Sequence, residues 1–176
     1  MSESLAYPIG KHVPKAEYSA DERADFVARL AAQPAALAAA LAGFRDADFE
    51  RPYRPGGWMI RQVVHHLADS HMNMLLRVKF ALAEEEPAIM GYDQDAWIQH
   101  ADVATVSPAV SVALFSALHD RAVALFRSLT PAQFQRGLMH SENGRMTIEQ
   151  VLAMYAWHGD HHVAHVRAVQ ALVRPA

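Results

Sequence analysis

The sequence predicts an all-α fold, a four-helix bundle with one tiny β-hairpin, and three observations predict the helical class. The 176 residues are 52% hydrophobic, rich in Ala, Leu and Val, and contain only 8 Gly, a composition that favours helix. Four long segments repeat their apolar positions with a period of about 3.6. Helix-start signals head three of them: Ser19 with Glu22, Ser107 with Pro108, and Thr147 with Gln150.

A chain of this length reads as one domain, residues 1–176, able to bury a core without cross-links. With no Cys, disulfides, thiolate ligands and a protein-borne thiol nucleophile are excluded. The formal charge of −3 and a pI near 6.4 leave no basic field for nucleic acid or an anionic membrane. The N-terminus lacks a basic flank followed by an apolar run, and no later segment reaches about 18 consecutive apolar residues. A cytoplasmic location is therefore expected.

Residues 1–18, with Pro8, Gly10 and Pro14, predict an extended arm lying on the domain. The first helix runs from about Ala20 to Gly43, and Pro34 within it should bend or split it. Pro52, Pro55, Gly56 and Gly57 make a turn before the second helix, Trp58 to Glu84. A long connection with a helical turn near Asp93 to Gln99 follows, as in bundles with a crossover between helices 2 and 3. Ser107-Pro108 opens the third helix, and Thr130-Pro131 marks a single capped turn after it. Asn143-Gly144 is the two-residue hairpin signal. The capping box at Thr147 then starts a fourth helix that continues to about Val173.

The fourth helix carries the chemistry. Trp157-His158-Gly159-Asp160-His161-His162-Val163-Ala164-His165 packs four imidazoles into eight residues, and each ring must find a hydrogen-bond partner or a metal once it leaves water. Taking Ile148 as zero, His158, His161 and His165 fall at about 280°, 220° and 260°, along the edge of the apolar face. His161 and His165 have the i, i+4 spacing that lets two rings reach one cation, and so do His158 and His162. On the second helix His66 lies on the border of the apolar face, His65 points away from it, and His71 reads as buried. If the two helices pack together, His66 joins the second strip and three neutral rings make an open site for a divalent ion. Periodicity by itself leaves the ligand set open.

At Tyr7-Pro8-Ile9-Gly10, Pro52 through Trp58, Arg61 through Asn73 and Trp157 through His165, the chain resembles the YfiT group of metal-dependent hydrolases within the DinB-like superfamily. Glu86-Pro87-Ala88-Ile89, Tyr92-Asp93 and Ala96-Trp97 extend the likeness over nearly the whole chain. The resemblance implies a four-helix bundle, a homodimer, and a divalent metal held by His66, His161 and His165. The helical phases agree with it in preferring His66 over His65. Asp160 stands where the group often has His.

Zn²⁺ or Ni²⁺ is the expected cofactor, activating water or a low-molecular-weight thiol such as bacillithiol or mycothiol against a small electrophile. That makes the chain a hydrolase or a thiol S-transferase. Asp69, Ser70 and Asn73 border the same face as His66, and His158 stands one turn before His161, so these are the side chains placed to orient water or substrate. A metal site that only staples helices together is the alternative. A di-iron centre is disfavoured by the lack of inward Glu-x-x-His pairs.

Overall fold

The computed structural model describes residues 2–173, with side chains from residue 4 onward. Four long helices form the body: α2 (Ala20–Leu41), α4 (Ile60–Ala83), α7 (Pro108–Ser128) and α9 (Ile148–Val173). Short helices α1 (Ser2–Ala6), α3 (Asp46–Phe49), α5 (Gln94–Trp97), α6 (Ala101–Thr105) and α8 (Pro131–Phe134) sit in the arm and the connections.

The helix starts follow their capping signals. Ser19 accepts from the Glu22 amide while Glu22 reaches back to the Ser19 amide, and Thr147 and Gln150 exchange the same pair of bonds. Pro34 does not split α2, which is continuous from Ala20 to Leu41. The expected turn in the long connection is α5, capped by Asp93, and α6 follows it. Within the arm, Ser2–Ala6 is helical rather than extended.

A small sheet of order β1-β2-β3 closes one end, built from Ala88–Ile89, Gly137–His140 and Gly144–Thr147. Strand β1, which the sequence reading lacked, pairs parallel with β2. In the hairpin His140 pairs with Gly144, so Ser141, Glu142 and Asn143 form a three-residue loop instead of a two-residue one. Gly144 supplies the positive φ of +68° that such a loop needs.

Helix α2 packs on α9 and α7, and α4 packs on α7 and α9, so the ring order is α2, α9, α4, α7. Helix α7 is long and apolar enough to cross a membrane by length and composition, more than the sequence reading allowed. Here its Phe115, Leu118, Ala122, Val123 and Phe126 are buried inside the bundle.

The core is divided. One apolar cluster takes Leu30, Met74, Val78, Phe126, Val151 and Leu152; the other takes Leu37, Val63, Leu67, Phe115, Val163 and Val166. Each long helix contributes to both, and where its two contributions meet each carries a polar side chain: Gln33 on α2, His71 on α4, His119 on α7 and the half-buried His158 on α9. Burying such groups without partners would cost several kcal/mol, on the order of 2–7 each against a medium with no hydrogen bonds. The layer therefore has to be wired together.

Candidate metal centre

The wiring starts at a carbonyl. His119 Nδ1 lies 2.7 Å from the Leu30 oxygen, which can only accept, so Nδ1 donates. His119 is held neutral, since burial pushes its pKa down to about 4. Its Nε2 is then an acceptor and takes the proton of His71 Nδ1 at 2.9 Å. Burial lowers His71 and His158 as well, so His71 Nε2 in turn accepts from His158 Nδ1 at 3.3 Å. One backbone carbonyl thereby sets three tautomers in series, and His158 presents the lone pair of Nε2 to His66 Nε2, 3.1 Å away.

Five rings gather where α4 meets α9. The nitrogens of His66, His158 and His162 lie within 4.8 Å of one another, and so do those of His161, His162 and His165. Two nitrogens on one tetrahedral ion at about 2.0–2.1 Å stand about 3.3 Å apart. The His66–His158 pair at 3.1 Å and the His165–His162 Nδ1 pair at 3.4 Å are near that spacing. His162 is the ring common to both groups. Of the three residues expected as ligands, His161 and His165 fall in one group and His66 in the other.

Whether these rings suit a cation is decided by their free lone pairs. Burial holds His66, His161 and His165 down to a pKa of about 4, with His161 adding to the effect on His66 and His165 adding to it on His161. All three are neutral at physiological pH, the form that ligates. His165 Nε2 donates to the Ala6 carbonyl at 3.2 Å, which leaves Nδ1 its lone pair, 3.4 Å from His162 Nδ1. His161 Nδ1 is buried with no hydrogen-bond partner. A buried ring nitrogen without a hydrogen-bond partner, among neutral imidazoles, is what a cation site needs, so the donor set fits a divalent ion.

Aromatic rings wall the cluster. Tyr53 stacks on His165 with centroids 3.9 Å apart, Trp157 stacks on His161 at 4.6 Å, and Trp58 meets His66 edge-on at 4.9 Å. The arm supplies Tyr7 and is held down by Trp157, whose indole donates to the Gly10 carbonyl at 3.0 Å. A cavity of about 380 Å³ opens between these rings and reaches His158, His161 and His162.

The other expected side chains are placed as follows. Asp69 and Asn73 do not line that cavity; Asn73 Nδ2 donates to the Asp69 carbonyl along α4. Asp160 ion-pairs with Arg29 at 2.8 Å and accepts from Gln33, clear of the rings. His65 is buried, contrary to its helical phase, and its Nδ1 lies 2.7 Å from Ser111 Oγ on α7. The His71–His119 relay was not foreseen. Its signal was the isolated His119 among apolar positions of the third helix.

Comparison with known proteins bears on the same residues. The DinB superfamily profile matches residues 21–166, which include α4 and the histidine run of α9. The chain belongs to the DinB superfamily. Among relatives, the YfiT protein of Bacillus subtilis, named a "putative metal-dependent hydrolase", is 45% identical over 166 residues, covering 94% of this chain and 93% of that one. A protein of the same description from Bacillus licheniformis is 42% identical over 167 residues, 94% and 95% of the two chains. The solved structure of B. subtilis YfiT, described as having an unusual four-helix bundle topology, superposes with a TM-score of 0.92 at 43% identity. It covers 97% of this chain and 98% of that one. The expected four-helix bundle of the YfiT kind is thus the observed fold.

Proposed function

We propose that this DinB-superfamily chain is a metal-dependent enzyme in which His66, His161 and His165 hold a divalent ion, Zn²⁺ or Ni²⁺. The reaction is hydrolysis of a small electrophilic substrate or transfer of a low-molecular-weight thiol to it. The buried, unpartnered His161 Nδ1 carries this reading. It is supported by His165, whose Nε2 is spent on Ala6 so that Nδ1 keeps its lone pair, the arrangement typical of a ligating histidine. The metal-dependent hydrolase names of the relatives agree with it. A divalent ion supplies Lewis acidity, which lowers the pKa of a water or a thiol.

The protein's own part is to exclude bulk water with Tyr7, Tyr53, Trp58 and Trp157 and to keep the rings neutral by burial. His158, anchored through His71 and His119, is the side chain placed to hold substrate beside the cluster. Two copies of the chain, in the cytoplasm, complete the proposal. A second ligand set, His66, His158 and His162, is favoured by the 3.1 Å His66–His158 approach.

Elemental analysis of protein purified without a histidine tag tests the site, with one ion per chain expected. His66→Ala, His161→Ala and His165→Ala each lose the ion, and His158→Ala keeps it; the reverse for His158 and His161 transfers the assignment to the second set. Loaded protein is then screened with and without thiols. Turnover of esters or amides without thiol means hydrolase, and turnover of an electrophile only with thiol means transferase. A bound ion that raises stability with no turnover in either screen leaves a structural site.

A further inference from the structure

A second cavity, of about 560 Å³, lies on the other side of His158, which together with Gln94 lines both it and the cavity at the histidine cluster. Arg77 lines it. That arginine is 93% buried, yet among the described residues its guanidinium makes a single hydrogen bond, from Nη1 to the Tyr155 hydroxyl at 2.8 Å. Nε is buried with no partner. No carboxylate among the described residues forms an ion pair with Arg77, whereas the buried Glu149 has Arg23. A buried cation without a counter-charge costs several kcal/mol, so a position of this kind calls for an anion.

The surroundings say which anion. Arg77 offers a planar fork suited to a carboxylate, and Tyr155, Tyr92 and Ser70 line the same cavity beside it. Burial raises both phenols, Tyr92 to about 12, so they stay protonated and donate. Asp93 and Glu142 line the same cavity but are exposed, and Glu142 folds over Gly91 at its rim. Their charges oppose a dianion such as phosphate.

We propose that this cavity is a carboxylate subsite: Arg77, with Tyr155 and Tyr92, binds a single carboxylate whose neutral remainder passes His158 toward the histidine cluster. The substrate class is thus a small monocarboxylic acid derivative. Its direction toward the cluster rests on the metal-site reading above, whereas carboxylate binding at Arg77 does not.

The test is a titration of the full-length, chelator-stripped protein with butyrate, followed through the Arg77 Nε–H resonance by nitrogen-edited NMR, with inorganic phosphate as the comparison. Expected are a saturable shift with butyrate, at least tenfold weaker binding in Arg77→Gln, partial recovery in Arg77→Lys, and no saturable shift with phosphate. Glu142→Gln, an exposed substitution that leaves the core alone, should admit phosphate. A missing butyrate shift, unchanged affinity in Arg77→Gln, or phosphate binding as tight as butyrate in the unaltered protein overturns the proposal. Should Arg77→Gln fail to fold by circular dichroism, Tyr92→Phe replaces it, with weaker butyrate binding expected and unchanged binding against the proposal. Zinc stoichiometry is measured on the same proteins after reloading with zinc: lost butyrate binding with zinc taken up sinks only this subsite, and failed zinc uptake with butyrate binding intact sinks only the metal assignment.

Discussion

His119 on α7 and His71 on α4 share a 2.9 Å hydrogen bond, and through it the Leu30 carbonyl on α2 dictates which nitrogen of His158 carries a proton on α9. All four long helices thus meet in one polar relay. Its polarity depends on every ring being neutral.

That dependence has a pH consequence. His119 titrates at about 4 in the folded protein against 6.5 in an unfolded chain, so as pH falls the unfolded state takes up its proton first. Stability from this group is complete above about 6.5 and drains away as pH drops toward about 4. Urea titrations of the metal-free protein over that range should show a falling midpoint, and His119→Asn, which keeps a donor for Leu30, should lessen the fall, the other buried imidazoles supplying the remainder.

Gly159 interrupts the histidine run for a steric reason. A Cβ there would stand 2.1 Å from Gln33 Oε1, the side chain that ties α2 to the Ala156 carbonyl. Gly159→Ala should cost about 1–3 kcal/mol by thermal unfolding. In a Gln33→Ala background the same change should become neutral or stabilising by up to about 1 kcal/mol, because only helix propensity is left.

Glu149 is fully buried at the start of α9, accepting from Arg23 at 2.8 Å and from the Tyr18 amide at 3.2 Å. Arg23→Ala strands that carboxylate and should destabilise by about 3 kcal/mol. Arg23→Lys, which keeps the charge but not the second bond to the Tyr18 carbonyl, should recover part of the loss. Chemical denaturation of the three proteins at neutral pH measures both effects.

The arm is latched over the cluster by the Trp157 indole on Gly10 and by Gln150 on Lys15. Trp157→Phe removes the first bond and the stacking area on His161. Hydrogen exchange at residues 7–12 should then accelerate several-fold, with α4 and α7 unchanged, since local opening follows local contacts. Equal protection in the variant would mean that the latch holds nothing.

Much of this was legible in the chain because it rests on local chemistry. Ser19, Ser107 and Thr147 start helices with side chains that bond amides two or three positions on, and no distant residue is needed to read them. Two other features depended on distant partners. Pro34 leaves α2 intact because tertiary packing outweighs the lost donor, and β1 exists only because β2 lies alongside it.

For the site, the sequence by itself determined that imidazoles line the edges of two long helices, since helical period depends on nothing beyond the order of residues. Which rings touch was decided by packing. The distance between His66 and His158, the burial of His65 against Ser111, and the isolation of Arg77 are set by the crossing of helices far apart in sequence. Only that assembly brings Gln33, His71, His119 and His158 to one level between two apolar cores, where a neutral ring has no alternative to the neighbour it is given.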